Sequence, residues 1–261
     1  MEQPVVITAA IDDRLAAIAD LAHFVVRFFT ELPRGLARVG EVVNQAWNVG
    51  VLTLPLITLT GAITGVVLTQ QSRPSLAAFG AESWLPSLVM LGLVRSLAPL
   101  VTALVCAGKV GSSIGAELGS MKVTEQLDAM EVSAVNPFRW LVVTRTVATA
   151  TMVPALTAYF AMVGTVGAWL NIRANEGTTW TAFIHDGFSS LTALDLGATL
   201  TRSLVFGFTI GILSCRAGFR TSRGTAGVGE AANNAVVGSM LAVFLEEVVM
   251  VQIVTLLRGA L

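Results

Sequence analysis

Most of the chain is divided into long apolar stretches separated by polar segments. The five stretches span residues 51–69, 84–108, 140–170, 196–215 and 235–257. A helix needs about 20 predominantly apolar residues to cross a bilayer, whereas strands of a membrane barrel are about ten residues long and alternate in polarity. The pattern therefore predicts an all-α protein with five transmembrane helices. The third stretch has 31 residues, so we expect it to tilt, to kink at Pro154 or to extend beyond the membrane.

The first forty residues carry an amphipathic pattern. Apolar residues recur at spacings of three and four from Leu15 to Leu32, with charged residues between them. Asp12 or Asp13 is suited to cap the start of this helix, and Pro33 to end it. Because charges occur throughout, we expect no cleavable signal peptide. The pattern predicts a helix in the membrane interface; a soluble helix packed on a partner is the alternative.

Glycines recur in the loop between the second and third stretches. Gly111, Gly115 and Gly119 are spaced by four residues. On a helix they would form one smooth edge that another backbone can approach closely. We therefore expect this edge to pack against a neighbouring helix, although a chance cluster in a glycine-rich chain is the alternative.

A short amphipathic helix is predicted after these glycines. Its apolar face comprises Val123, Leu127, Met130 and Ala134. Acidic residues adjoin that face at Glu125, Asp128 and Glu131. A membrane-surface helix would instead present Lys and Arg to anionic headgroups. The acidic face indicates a protein partner, with a solvated face over the protein's own core as the alternative.

Composition and charge support a multi-pass membrane protein. Charged residues make up 13% of the chain, about half of the roughly 25% in soluble domains, and the mean hydropathy is +0.75. The net charge of −1 gives no basic footprint for nucleic acid. With the N-terminus in the cytoplasm, and with Arg145 near the start of the third stretch counted as inside, 11 of the 16 Lys and Arg residues fall inside, 3 outside and 2 within spans. The positive-inside rule therefore predicts a cytoplasmic N-terminus and a C-terminus outside.

Charged residues occur within four of the five apolar stretches. Arg95 is near the middle of the second stretch, and Glu246 and Glu247 are near the middle of the fifth. Each costs about 2.5–3.5 kcal/mol at mid-bilayer, so such residues are retained when they pair or line a wet cavity. Arg202 is close enough to the outer end of its stretch to snorkel outward. We predict that Arg95 and Glu247, with Glu246 or Arg202 nearby, form a polar network that locks the helices or senses a lipid headgroup.

The sequence contains no motif for nucleotide binding, metal binding or nucleophilic catalysis that we can identify. Lys109 is followed by Val110, whereas a phosphate-binding loop needs Ser or Thr there. His23 and His185 are far apart, and no serine has a base at a recognisable spacing. We therefore expect no cofactor on this chain, and any pumping energy must come from another subunit.

Several further motifs follow one another along residues 47–257. They include Asn48-Val-Gly, Leu93-Val-Arg-Ser-Leu-Ala-Pro, Ala107-Gly-Lys-Val-Gly-Ser, Val123-Thr-Glu-Gln-Leu-Asp-Ala-Met-Glu-Val and Thr225-Ala-Gly-Val-Gly. Together, in this order, they resemble the MlaE/YrbE family of ABC-transporter permeases. The resemblance implies a homodimeric, multi-pass permease of the bacterial inner membrane with a periplasmic C-terminus. Its parts would be an interfacial N-terminal region at 1–46 and a permease domain at 47–261.

The resemblance also implies partners and a substrate class. The expected partners are an ATPase subunit that binds ATP and Mg, a periplasmic MCE-domain protein and, in some members, a STAS-domain subunit. The substrate would be a phospholipid or a related lipid. Segment 119–137 would be a cytoplasmic coupling helix, with candidate ATPase contacts at Glu117, Lys122, Glu125, Gln126, Leu127 and Met130. Many relatives have Glu where this chain has Ser96, so that intramembrane carboxylate is absent here.

A lipid cargo requires an apolar route. Exposing one 14-carbon chain to water would cost on the order of 11 kcal/mol, at about 0.8 kcal/mol per CH₂. We expect a cavity at the dimer interface, walled by the first, second and fifth spans, where Gly61 and Gly65 would set a close helix approach. The alternatives are a proton-coupled secondary transporter that uses Glu246 and Glu247, an intramembrane lipid-modifying enzyme, and a structural scaffold.

Overall fold

The computed structural model describes residues 4–222 and 224–259, in which helices occupy nearly every position and no strand occurs. The helices are α1 (Pro4–Gly35), α2 (Val39–Gly50), α3 (Leu54–Ala78), α4 (Leu85–Gly92), α5 (Ala98–Cys106), α6 (Ser112–Val123), α7 (Gln126–Val132), α8 (Thr144–Glu176), α9 (Trp180–Ser189), α10 (Ala193–Phe219) and α11 (Thr225–Gly259). The predicted all-α class is confirmed.

Five helical segments of the described chain are long and apolar enough to cross a membrane. They are span 1 (Val39–Ala78), span 2 (Glu82–Val123), span 3 (Phe138–Asn175), span 4 (Ala193–Phe219) and span 5 (Thr225–Gly259). The predicted number of spans is confirmed. Spans 1, 2 and 3 are longer than their apolar stretches because short 3₁₀ or π-helical turns join neighbouring helices there. The domain boundary expected after residue 46 falls inside α2. The orientation of the N- and C-termini relative to the membrane stays a prediction.

Spans 1 and 3 approach each other closely at two small residues of α3. A Cβ on Gly61 would lie 3.1 Å from the carbonyl oxygen of Phe160 in α8. A Cβ on Gly65 would overlap the backbone of Gly164 and lie 3.0 Å from the amide nitrogen of Ala168. Glycine at these positions therefore allows backbone contact between α3 and α8. This close approach joins two spans of the same subunit.

The glycine edge of α6 packs against span 5. A Cβ on Gly115 would lie 2.9 Å from the carbonyl oxygen of Ala231 and 2.8 Å from the Cβ of Ala235. A Cβ on Gly119 would lie 2.8 Å from Oγ1 of Thr221, at the end of span 4. The edge that starts at Gly111 thus fits α6 against α10 and α11. We call the end of the bundle that carries α6 and α7 the hairpin end.

The N-terminal helix packs one apolar face on the bundle and exposes another. Phe24 lies 4.9 Å from Phe138 between ring centroids, and Phe28 lies 5.3 Å from Phe208. A second apolar face of α1 is exposed at Leu15, Ile18, Val26 and Phe29, which suits a helix in the membrane interface. The helix start predicted at Asp12 or Asp13 is wrong, because α1 begins at Pro4 and no helix breaker separates Val5 from the later turns.

An ion-pair cluster attaches α1 to the hairpin end of span 4. The Asp20 carboxylate lies 2.9 Å from Nε of Arg216 and 2.5 Å from Nη2 of Arg220. Burial raises the pKa of Asp20, but the hydrogen bonds and positive charges of the two arginines outweigh burial, so the net pKa lies below its ordinary value. The carboxylate form of Asp20 therefore favours the attached state of α1.

A first prediction concerns the contact between spans 1 and 3. Gly65→Val should lower the free energy of unfolding by about 3 kcal/mol, because the new side chain would overlap the backbone of α8. The measurement is unfolding in mixed detergent followed by circular dichroism. Gly238→Ala is the control, since a Cβ there meets nothing within 4 Å. Equal stability of Gly65→Val and the wild type would contradict the packing.

A second prediction concerns the pH dependence of α1. Because the folded pKa of Asp20 is lowered, its contribution should be complete above about pH 4 and be lost as pH falls through the folded pKa. Asp20→Asn should show fast exchange of α1 amide hydrogens already at neutral pH. Hydrogen-exchange mass spectrometry measures this, with Asp186→Asn, far from α1, as the control. Equal exchange in wild type and Asp20→Asn would contradict the attachment.

Candidate functional site

Two backbone carbonyls of span 2 are capped by side chains of span 4. A π-helical turn covers Leu93–Leu97, and Pro99, which follows it, has no N–H to donate to a carbonyl one turn earlier. Oγ1 of Thr199 donates to the carbonyl oxygen of Val94 at 3.1 Å, and Nη1 of Arg202 donates to that of Arg95 at 2.8 Å. Since an unpaired carbonyl in hydrocarbon costs several kcal/mol, α10 completes the hydrogen bonding of span 2.

The same arginine pairs with a carboxylate of span 5. Nε of Arg202 donates to Oε2 of Glu247 at 3.1 Å, and Nη2 forms a second contact with Oε1. The arginine side chain is 3% exposed and that of Glu247 is 14% exposed. Arg202 therefore joins spans 2, 4 and 5 through a two-point ion pair. The expectation that Arg202 could snorkel outward is wrong, because its guanidinium has partners inside the bundle.

A second ion cluster lies at the start of span 4. Asp195 is 2% exposed, and its carboxylate forms an ion pair with Arg258 and lies 4.0 Å from Nε of Arg95. Asp195 and Thr192 also form a capping box at the start of α10. Asp195 and Arg258 were not predicted as site residues, because each lies at the margin of an apolar stretch. The Thr-x-x-Asp pattern before α10 is the signal that could have identified the first of them.

The polar contacts of the described residues differ from the predicted network, although Arg202 and Glu247 are paired. Arg95 does not pair with Glu247: its side chain faces Asp195, and its carbonyl accepts from Arg202. Glu246 lies apart from these arginines, and its Oε1 accepts from Oγ1 of Thr209 at 2.5 Å. Its other carboxylate oxygen is buried without a hydrogen-bond partner among the described residues.

The arginine cluster carries an excess of positive charge. Three arginines, Arg95, Arg202 and Arg258, face two carboxylates, those of Asp195 and Glu247, which leaves a formal charge of about +1. The side chains of Arg95 and Arg258 are 29% and 33% exposed. A groove of about 310 Å³, otherwise mainly apolar, opens between α10 and α11 beside Arg202. The arrangement can accept an anionic group next to an apolar chain.

The second candidate surface is the α6–α7 hairpin. The expectation of one coupling helix over segment 119–137 is wrong. Gly119 belongs to α6, and α7 covers only Gln126–Val132. The break occurs because Glu125 adopts a left-handed conformation with φ of 58°, which ends helical hydrogen bonding between α6 and α7. Two segments therefore share the residues expected in a single coupling helix.

The predicted contact residues differ in their surroundings. Glu117 lies on α6 and pairs with the buried Arg145 of α8 at 2.7 Å. Lys122 pairs with Asp128 at 3.2 Å, and Leu127 is buried against the bundle. Of the predicted set, Glu117, Glu125 and Gln126 are exposed, whereas Lys122 and Met130 are half-buried.

An apolar groove lies beside α7. It has a volume of about 410 Å³ and is lined by Gln126, Ala129, Met130, Ser133, Val135 and Trp140. Val132 is 90% exposed, and Glu131 is exposed next to it. An apolar groove flanked by carboxylates is suited to contact with a protein partner.

A third prediction concerns Arg202. Arg202→Met should lower the free energy of unfolding by about 3–5 kcal/mol, because it leaves Glu247 buried without its partner. The double variant Arg202→Met with Glu247→Leu should recover more than half of that loss. Thermal unfolding in detergent measures both, with Arg34→Met at an exposed position of α1 as the control. Full stability of Arg202→Met would contradict the joining role of the arginine.

Comparisons with known proteins agree with this architecture. A family model described as "Permease MlaE" matches residues 42–253. A "Probable ABC transporter permease protein" of Synechocystis sp. is 36% identical over 217 residues, which cover 83% of this chain and 82% of the relative. One of Rickettsia typhi is 34% identical over 204 residues, 78% of this chain and 79% of the relative.

A plant protein is also similar. "Protein TRIGALACTOSYLDIACYLGLYCEROL 1, chloroplastic" of Arabidopsis thaliana is 30% identical over 210 residues, 80% of this chain and 60% of the relative. The family model covers most of the chain, and two bacterial ABC transporter permeases match about four fifths of it. With its five apolar spans, the chain therefore belongs to the MlaE permease family and is a multi-pass ABC transporter permease.

Proposed function

We propose that this permease forms the homodimeric membrane part of an ABC transporter that moves a phospholipid or a related lipid. A separate ATPase supplies the energy at the hairpin end, which we place in the cytoplasm of a bacterial inner membrane. A periplasmic MCE-domain protein continues the lipid path at the other end. The observation that carries the proposal is the exposed, acidic α6–α7 hairpin in a chain whose relatives are ABC transporter permeases.

The hairpin suits transmission of movement from an ATPase to the spans. Its exposed acids and the apolar groove beside α7 offer a docking surface, and buried Leu127 fixes α7 to the bundle. In α6, Glu117 forms an ion pair with Arg145 of span 3, and the glycine edge at Gly115 packs against span 5. A displacement of the hairpin would therefore move packed helices as a group.

Three features support a lipid as the cargo. Span 5 exposes a long apolar face that includes Leu241, Leu245 and Val248, which keeps an acyl chain out of water. The arginine cluster around Arg202 carries excess positive charge beside an apolar groove, a combination that suits a phosphate with an attached chain. The name of the Arabidopsis relative contains that of a galactolipid, which supports a membrane lipid as the cargo.

A proton-coupled secondary transporter is the second candidate. The observation in its favour is Glu246, which has one buried carboxylate oxygen without a hydrogen-bond partner among the described residues. Glu247 is less suited to carry a proton, because it is paired with Arg202. The two candidates differ in the energy source that drives transport.

A fourth prediction tests the docking surface. The double variant Glu125→Arg with Glu131→Arg should lower the amount of ATPase that co-purifies from native membranes at least about tenfold, because like charges would then face the partner. Quantitative mass spectrometry of the tagged permease measures the ratio of ATPase to permease. Glu82→Arg, an exposed reversal at the opposite end of span 2, is the matched control. An unchanged ratio in the double variant would contradict docking at α7.

A further inference from the structure

A small polar cleft lies between α2 and the hairpin end of span 2. Its volume is about 160 Å³, and its polar lining comprises Gln45, Asn48, Thr53, Lys109, Ser113 and Glu117. The cleft brings together two sequence motifs that the roles described above do not use, Asn48-Val-Gly and Ala107-Gly-Lys-Val-Gly-Ser. Two segments about sixty residues apart thus meet at one site.

Two donors in the cleft lack a partner among the described residues. Thr53 is fully buried, and its hydroxyl group makes no hydrogen bond. Lys109 is exposed at the cleft, and none of the ion pairs of the described residues includes it. A buried hydroxyl group without a hydrogen-bond partner is unfavourable. A ligand that accepts hydrogen bonds would remove this cost.

The charges around the cleft favour an anion. Glu117 already pairs with Arg145 at 2.7 Å, so the positive charge of Lys109 remains uncompensated. The amide group of Asn48 and the hydroxyl group of Ser113 add donors that do not depend on charge, whereas the amide group of Gln45 already donates to Glu41 at 2.8 Å. A singly charged group with several acceptor oxygens, such as a phosphodiester, matches this set.

An apolar stripe starts at the cleft and runs along span 1. Leu52 lines the cleft, and Leu56, Leu59 and Ile63 follow at spacings of four, three and four residues. Their exposed fractions are 56%, 40%, 59% and 52% in chain order. Eleven residues of helix extend about 16 Å, which is about half of the hydrocarbon thickness of a bilayer. The stripe therefore has the length of an acyl chain within one leaflet.

We propose that the cleft binds the phosphodiester headgroup of a phospholipid in the leaflet at the hairpin end, with an acyl chain along Leu52–Ile63. Lys109 neutralises the phosphate, and the hydroxyl group of Thr53 donates to it. Fourteen residues of span 2, about 21 Å of helix, separate Lys109 from Arg95, so this site is distinct from the arginine cluster. The inference deepens the proposed function, because it assigns a site where cargo is taken from or delivered to that leaflet.

The experiment measures lipid binding to the purified, delipidated full-length permease by native mass spectrometry. Dioleoyl phosphatidylglycerol is titrated against the wild type, Lys109→Gln and Thr53→Val. Each variant should bind the phospholipid about fivefold more weakly, since one charge contact or one hydrogen bond is lost. Lys122→Gln, a lysine at the same end that pairs with Asp128, should bind like the wild type. Unchanged thermal midpoints establish that the variants fold, and the near-isosteric Thr53→Val keeps the test open if Lys109→Gln does not fold.

Two further arms identify the source of the phosphate. Dioleoylglycerol, which has the same chains and no phosphate, should bind equally to the wild type and to Lys109→Gln. Inorganic phosphate should not displace the lipid, and Leu59→Asn should weaken binding of the lipid. Displacement by inorganic phosphate would overturn the lipid assignment, and unchanged phospholipid binding in both cleft variants would overturn the site.

Failure of this inference and failure of the proposed function have different signatures. If the wild type transports lipid with ATP while the cleft variants bind phospholipid normally, only the cleft assignment fails. If the cleft variants lose binding but the wild-type complex moves no lipid with ATP, the site stands and the proposed function fails.

Discussion

The hydrogen bonds that Arg202 makes inside the bundle fix the geometry on which the rest of the permease depends. Pro99 has no N–H group, so a backbone carbonyl of span 2 lacks its helical hydrogen-bond donor. Within the apolar bundle another part of the protein must supply that donor. Arg202 donates to the carbonyl of Arg95 and pairs with Glu247, so one guanidinium satisfies the backbone of span 2 and the carboxylate of span 5. Loss of any one of these groups would leave another buried without a partner, which couples the positions of spans 2, 4 and 5.

This coupling gives the hairpin a physical route to the arginine cluster. The glycine edge of α6 contacts span 5 at Ala231 and Ala235, and the same helix carries Glu247 about three turns beyond Ala235. Because α11 is one continuous helix, a displacement at its hairpin end is carried to the carboxylate that holds Arg202. The headgroup cleft at Lys109 lies on the helical segment that precedes this edge, so lipid binding and hairpin position would share span 2.

The sequence predicted the parts of this structure that depend on local pattern. Apolar length identified the five spans, and the four-residue spacing of Gly111, Gly115 and Gly119 indicated a packed edge. Pairings between distant residues could not be predicted, because Arg202 and Glu247 are 45 residues apart and pattern alone did not exclude Arg95 as the partner. The hydropathy pattern also placed Asp195 outside the fourth stretch, although it is buried. The left-handed turn at Glu125 was missed because that conformation is rare for a residue with a Cβ.

The measurement that tests the central claim most directly is lipid transport by the reconstituted complex. The permease would be purified from native membranes with its ATPase and placed in vesicles that carry a fluorescent phospholipid. We expect lipid movement that requires ATP hydrolysis and persists when an ionophore collapses the proton gradient. Lipid movement that follows the proton gradient without ATP would contradict the account and assign the energy coupling to Glu246. Absence of phospholipid movement with an active ATPase would contradict the lipid cargo.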